Sequence, residues 1–180
     1  MAKQFDRIAT AHRSFIEAQH IFFVATAAPS GRVNTSPKGM DSLRVLGANR
    51  IVWRNSTGSG NETAGHLQQS NRMTLMWCSF DAQPLILRAY GKASMMQVGD
   101  DGWSDLNALF PPDIAARQIF DMSVDLVQTS CGFGVPHMRY EGERPDADAW
   151  AAAKGPDGIR TYWAEVNRMT LDGFPTGIPE

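Results

Sequence analysis

A lysine and a small-residue loop carry most of the chemistry that can be read from this chain. Ser36-Pro37-Lys38-Gly39 comes first, then Ile51-Val52-Trp53-Arg54-Asn55, then Ser56-Thr57-Gly58-Ser59-Gly60-Asn61-Glu62. Ser59 with Glu62 three residues later has the spacing of a capping box, which places a helix start there. Such a start offers unpaired backbone N–H groups and the positive end of a dipole. Gly58 and Gly60 let a ligand approach the main chain, and Lys38 can add a full positive charge. The chemistry that fits is anion binding, with a phosphate monoester the natural ligand. An ordinary capped turn is the competing reading. The Glu62 carboxylate would repel a phosphate unless it turns away into the capping box. The loop is neither a Walker A sequence nor G-x-G-x-x-G, because position 63 is threonine.

Other reactive residues carry weaker signals. His12, His20, His66 and His137 form neither H-x-x-x-H nor H-E-x-x-H, so the spacing gives no metal site. His66 falls in a short helix and reads as a surface or interface residue. His137 follows the Cys131 loop and is a candidate pocket residue. Cys131 has glycines after it and no visible base, which favours a structural or pocket-lining thiol over a nucleophile. No G-x-S-x-G elbow occurs. The five tryptophans read mainly as core. Trp53 lies two residues before Asn55, where a planar cofactor could sit, but core packing suits its ring better.

The elements that must position these residues are mostly strands. Phe5 to His20 has helical periodicity. Residues 21–27 form a β-rich run ending in a Pro29-Ser30-Gly31 turn, and Val33 to Met40 returns, with Pro37 marking an edge or a bulge. Ser42 to Leu46 continues it. Ile51 to Asn55 is a third strand, Thr63 to Gln69 a helix, and Met73 to Phe80 a strand buried on both faces. Leu85 to Gln97 is a long strand bent at Gly91. Asp101 to Phe110 reads as a helix, and Pro111-Pro112-Asp113 opens another through Phe120. Val124 to Gln128 is a last strand. Asp146 to Lys154 is an alanine-rich helix, followed by a sharp turn at Gly155 to Gly158. The pattern predicts a mainly β (α+β), antiparallel, Greek-key-like barrel or sandwich with peripheral helices.

Composition bounds the rest. The chain has 180 residues, 43% hydrophobic and 20% charged, which suits one domain with a substantial core. The barrel core spans about residues 20–130, and a C-terminal helix and tail occupy 131–180. A net charge of −2 gives no electrostatic case for nucleic acid. No apolar run reaches membrane-span length, and Met1 to Thr10 lacks a signal peptide's apolar segment. Two cysteines far apart, Cys78 and Cys131, are expected to be reduced thiols of a cytoplasmic protein.

The order of these motifs resembles the pyridoxamine 5′-phosphate oxidase-like family of flavin-binding split barrels. The features that carry the likeness are Ser-Pro-Lys-Gly, Trp-Arg-Asn, the Ser/Gly loop with its helix, Met-Thr-Leu-Met-Trp, and Leu-Arg-Ala-Tyr-Gly-Lys-Ala, over about residues 20–98. The segments Ser130 to Pro136 and Trp163 to Pro175 look like a bacterial subgroup with no defined reaction. The resemblance implies flavin mononucleotide (FMN) as cofactor. Ser36, Pro37 and Lys38 would lie on the lysine strand. Trp53, Arg54, Asn55, Ser59, Gly60 and Asn61 would grip the ring edge and the phosphate. It also implies a homodimer with cofactor at the interface, completed by the partner's C-terminal residues, for which Trp163 and Arg168 are the candidates.

The sequence also departs from the oxidase proper. Val33 stands where that enzyme has arginine, Ser59-Gly60-Asn61 where it has Ser-Arg-Lys, and Ile86 where it has glutamine. The Arg-x-His pattern is missing. These changes argue against vitamin B6 oxidation and leave Arg54, Arg72 and Arg88 as candidate replacement cations. The expected function is an FMN-dependent oxidoreductase acting on a small organic molecule, with no catalytic residue assigned. The alternatives are a deazaflavin (F420)-dependent reductase and a non-enzymatic flavin- or haem-binding protein.

Overall fold

Two-residue alternation builds the first half of the molecule. In a computed structural model describing residues 2–178, Phe22, Val24 and Thr26 are buried while Phe23 and Ala25 are half-buried on the other face. Chain order is β1 (Lys3–Phe5), α1 (Thr10–Glu17), β2 (Phe22–Thr26), β3 (Asn34–Lys38), β4 (Leu43–Gly47), β5 (Arg50–Ser56) and α2 (Glu62–Gln69). Then follow β6 (Arg72–Cys78), β7 (Ile86–Gln97), α3 (Trp103–Asn107), β8 (Ala116–Ser130) and α4 (Asp146–Val166).

All strand pairs are antiparallel. The order is β3-β2-β6-β7-β8-β5-β4, with β1 added to β8. The ladder does not close on itself, so β3 and β4 are free edges. Pro37 sits on β3, where a missing N–H costs no ladder bond. The inner face packs a core of Val24, Ile51, Trp53, Leu75, Trp77, Leu87, Phe120 and Met122. Trp53 stacks on Phe120 at 4.6 Å between ring centroids. A second cluster on the opposite face of β5 joins Val52 to Trp103, Phe110 and Ile119.

Five expectations change. Ser42 to Leu46 does not continue β3 but forms β4, paired with β5 at the other end of the sheet. Phe5 belongs to β1 rather than to the first helix, because Lys3 to Phe5 pair with Val127 to Thr129 of the long β8. No helix runs from Pro111 to Phe120. Residues from Ala116 onward enter β8, where cross-strand burial between β5 and β7 overrides the helix-start signal of Pro-Pro-Asp. The helix expected over residues 101–110 shortens to α3. The turn at Gly155 is a kink (φ 66°, ψ 173°) between two helical pieces that together form α4, with Pro156 just beyond it.

The bend at Gly91 is present and has a steric cause. The register slips between Tyr90 and Gly91, leaving Asp125 of β8 without an opposite residue. A Cβ at Gly91 would lie 2.0 Å from the Ser123 carbonyl oxygen. Gly91→Ala must therefore push two bonded strands apart. Urea unfolding of this variant is expected to show a loss of about 3 kcal/mol or more, with the mechanism being backbone overpacking. A change under about 0.5 kcal/mol would refute the close-approach account.

Candidate functional site

Lys38 ends β3 on the core-facing side, opposite Phe22. Its amino group lies 5.5 Å from the centre of the Trp53 ring and donates to Asn55 Oδ1 at 3.4 Å. It therefore reaches from one free-edge strand across the open seam to β5. Asn55 Nδ2 donates to Gln118 Oε1 at 3.1 Å, and Gln118 is fully buried on β8. Gln118 Oε1 also accepts from Arg117 Nε at 2.9 Å. Arg117 Nη2 then donates to the Gly60 carbonyl at 3.0 Å. A continuous polar chain thus links Lys38 to the Ser/Gly loop.

A β-bulge delivers Arg117. Asn55 pairs with Gln118 and Ser56 with Ala116, so Arg117 is skipped by the ladder. A bulged residue escapes strict alternation, which lets its side chain turn toward the loop beside Gln118. The sequence reading missed Arg117 and Gln118 because it placed them in a helix. The β-branched and aromatic run from Ile119 was the available signal for a strand there.

Electrostatics mark the same spot. Burial, with the Arg117 guanidinium as second cause, pulls the Lys38 ammonium down to about 8. Burial also pulls Arg117 down to about 10, against a smaller opposing pull from Tyr162. Among the described residues neither cation has an ion-pair partner. Among the described residues, Arg117 Nη1 and Gln118 Nε2 are buried donors with no acceptor. A cluster of desolvated donors without a carboxylate favours an anionic ligand.

The C-terminal segment clasps the loop. Trp163 Nε1 donates to Thr57 Oγ1 of the same chain at 2.7 Å. Asn167 Nδ2 donates to the Gly58 carbonyl at 3.0 Å, and Asn61 Nδ2 to the Asn167 carbonyl at 3.2 Å. Arg168 is half-buried on the next residue, its carbonyl accepting from the Thr176 N–H. In a trans peptide the C=O and the next N–H point in opposite directions. Turning the Gly58 and Gly60 carbonyls toward Asn167 and Arg117 therefore turns the N–H groups of Ser59 and Asn61 away from them. Asn167 and Thr57 were not singled out in the sequence, where a lone Asn or Thr carries no signal.

Several sequence candidates sit differently from expectation. The capping box is not formed: Asn61 is the N-cap of α2, with no side-chain cap bond. Glu62 instead accepts from the Leu171 N–H at 3.1 Å, which takes its charge into the C-terminal segment. Arg54 is on the opposite face of β5 from Asn55, donating to the Pro111 carbonyl at 2.6 Å and lying 3.8 Å from Asp113. Arg72 donates to Ser70 at an exposed strand end, and Arg88 to Ser130 on the non-core face. None of these three replaces the missing loop cations; Arg117 stands beside the loop instead.

The remaining candidates divide between surface and core. Trp53 is wholly buried and stacked on Phe120, so its ring is part of the core. Ser36 is half-buried beside Val24, Pro37 is exposed at the sheet edge, and Ser59 and Gly60 are exposed. His66 is buried with Nδ1 against Thr26 Oγ1 at 3.1 Å, which corrects its surface reading. His137 is exposed, 3.3 Å from the Phe80 carbonyl. Among the described residues no three His, Cys, Asp or Glu side chains group as a metal site, and no helix is long and apolar enough to cross a membrane.

The lowered Lys38 ammonium has a stability consequence. The folded value, about 8, lies below the ordinary 10.5, so the unfolded chain holds this proton more tightly. The penalty is complete below pH 8 and fades as pH rises toward 10.5. Lys38→Met should therefore stabilise the ligand-free protein at pH 7 by about 2 kcal/mol. Thermal unfolding should show that gain shrinking near about pH 10. A destabilised Lys38→Met at neutral pH would contradict the buried-charge account.

The sequence model described as Pyridoxamine 5'-phosphate oxidase matches residues 8–131. The "Pyridoxamine 5'-phosphate oxidase family protein ustO" of Aspergillus flavus is 36% identical over 181 aligned positions, covering 91% of this chain and 73% of that protein. Among solved structures, a candidate pyridoxamine 5'-phosphate oxidase from Lactobacillus delbrueckii superposes with a TM-score of 0.56 at 14% identity, covering 68% of this chain and 94% of the other. A HupZ variant from Group A Streptococcus gives 0.53 at 16% identity, covering 68% and 99%. Those two similarities concern the fold, a split barrel whose sheet stays open between β3 and β4. By its matched residues and its relative's identity, this chain belongs to the pyridoxamine 5'-phosphate oxidase family.

Proposed function

We propose that the protein is a cytoplasmic, homodimeric flavoprotein that binds FMN and acts as an oxidoreductase on a small organic molecule. The observation that carries this reading is the pair of desolvated cations beside the 57–61 loop, Lys38 and Arg117, which have no ion-pair partner among the described residues. A phosphate monoester would supply the missing negative charge. Arg117 and Gln118 each have an unused donor for its oxygens, and Lys38 adds the second positive charge. Buried Asn61 Oδ1 and Asn167 Oδ1 are acceptors without partners among the described residues, suited to the hydroxyl groups of the cofactor's side chain.

FMN, when bound, supplies the hydride and electron chemistry. The chain's part is orientation and electrostatics. The clasp of Trp163 and Asn167 holds the loop in one conformation, so its donors need little reordering on binding. Two cations suit one phosphate better than the longer acidic tail of deazaflavin F420, which favours FMN between the two. The homodimer follows the family resemblance.

The test is flavin fluorescence quenching on the purified chain with FMN and, separately, riboflavin. FMN should bind, and Arg117→Lys should weaken it about tenfold to a hundredfold by losing the forked donor geometry. Riboflavin, which has no phosphate, should bind the variant and the parent equally. A chain that is colourless as purified and fails to take up added FMN would sink the cofactor assignment. Equal losses for both flavins would show that Arg117 does not face the phosphate.

A further inference from the structure

The chain between β8 and α4, residues 131–145, forms no helix or strand. Connections that long, beyond about 12 residues, are uncommon in a compact fold and usually functional. Apart from buried Gly132 and half-buried Val135, every residue in it is exposed, Phe133, Met138 and Tyr140 included. None of it joins a core cluster, and among the described residues no ion pair ties it to the body. Its Met138, Arg139 and Tyr140 nevertheless line a cleft of about 600 Å³ together with Ile21, Pro37 and Lys38.

Two anchors hold the middle of this segment, one on each side of Arg139. Just before it, the Met138 N–H donates to the Phe80 carbonyl at 3.3 Å, and His137 Nδ1 lies at the same distance from that oxygen. Just after it, the Tyr140 ring stacks flat on His20, with centroids 3.6 Å apart and planes 6° apart. The Tyr140 hydroxyl donates to Glu143 at 3.0 Å within the segment, so the ring face makes the link to the body. The two ends differ. Gly132 (φ 68°) is wedged where a Cβ would lie 2.9 Å from the Leu85 nitrogen, so that end is fixed. Gly142 (φ 142°) has open space around it, and its backbone conformation is one that glycine takes freely. A segment fixed at one end, hinged near the other, and held between by long bonds to one carbonyl and one stack opens easily. The sheet stays intact when it does.

We propose that residues 131–145 are a strap that opens and closes over this cleft, with the His20–Tyr140 stack as its latch. That it meters flavin rests on the flavin reading above, which gives the Lys38 amino group to the cofactor; that it is a latched strap does not. A gate differs from a contact in its kinetics. Where a ligand enters and leaves only through the open form, a looser latch speeds entry and exit by the same factor and leaves affinity unchanged. A lost contact instead speeds exit alone and weakens binding.

The test uses His20→Ala, which removes the stack without altering the strap, and His20→Phe, which keeps a flat ring. His20 is exposed, so neither change touches the core. Limited trypsin digestion of the full chain reads cleavage after Arg139, between the two anchors. His20→Ala should be cut about threefold to tenfold faster than the parent, the worth of one aromatic stack, and His20→Phe at the parent's rate. In stopped flow, FMN should enter and leave His20→Ala faster by that same factor, with Kd unchanged. Cleavage as slow in His20→Ala as in the parent, or as fast in His20→Phe as in His20→Ala, overturns the latch. FMN rates that do not move, or dissociation that speeds alone, overturn the gate. The expected cleavage pattern in a chain that binds no FMN supports the strap and overturns the flavin reading alone.

Discussion

An antiparallel sheet that stops short of closure leaves a seam, and the site depends on what crosses that seam. Hydrogen bonds of the ladder run from β3 through β8 to β4 and end at two free edges. Lys38 on β3 reaches Asn55 on β5 across that gap. From Asn55 the polar chain continues through Gln118 and Arg117 to the Gly60 carbonyl. A seam bridged by side chains, rather than by main chain, can be opened or filled by a ligand without breaking a strand pair. The aromatic core beneath it, with Trp53 and Phe120 stacked and wholly buried, keeps both sides rigid.

The same cluster costs stability. Two cations are drawn out of water with no ion-pair partner among the described residues, and their ordinary proton affinities fall accordingly. Two buried donors and two buried acceptors around the 57–61 loop have no partner among the described residues. Cores selected for stability alone satisfy such groups. Those four lie on β8 and at the ends of α2 and α4, around the 57–61 loop, the pattern of a binding site whose ligand completes the hydrogen bonding.

The C-terminal segment turns a sheet edge into a shaped loop. Trp163 and Asn167 hold residues 57–61 from outside, and Glu62 ties the start of α2 to Leu171. Arg32 and Asp172 pair across the same segment. Gly65 has no room for a side chain, since a Cβ there would lie 2.2 Å from Thr170 Cγ2. The tail is thus packed against α2 rather than appended to the barrel, which links the first third of the chain to its last residues.

What the sequence determined by itself was local and periodic. A β-rich run marked β2, Ile51 to Asn55 marked β5, Pro37 marked an edge or a bulge, Gly91 marked a bend, and the order of motifs carried the family and its split barrel. The loop at 57–61 was legible from its glycines and polar residues. Tertiary structure alone decided which cations meet that loop. Arg54 is next to Asn55 in sequence yet points to the other face, because neighbouring residues of a strand alternate. Arg117 lies 57 residues from Gly60 and reaches it through a bulge that no spacing rule reveals. Its strand was read as a helix because Pro111-Pro112-Asp113 is a sound local start signal, and only burial between β5 and β7 overrides it. Local preference is written in adjacent residues, whereas a site built across a seam is written in pairings between distant ones.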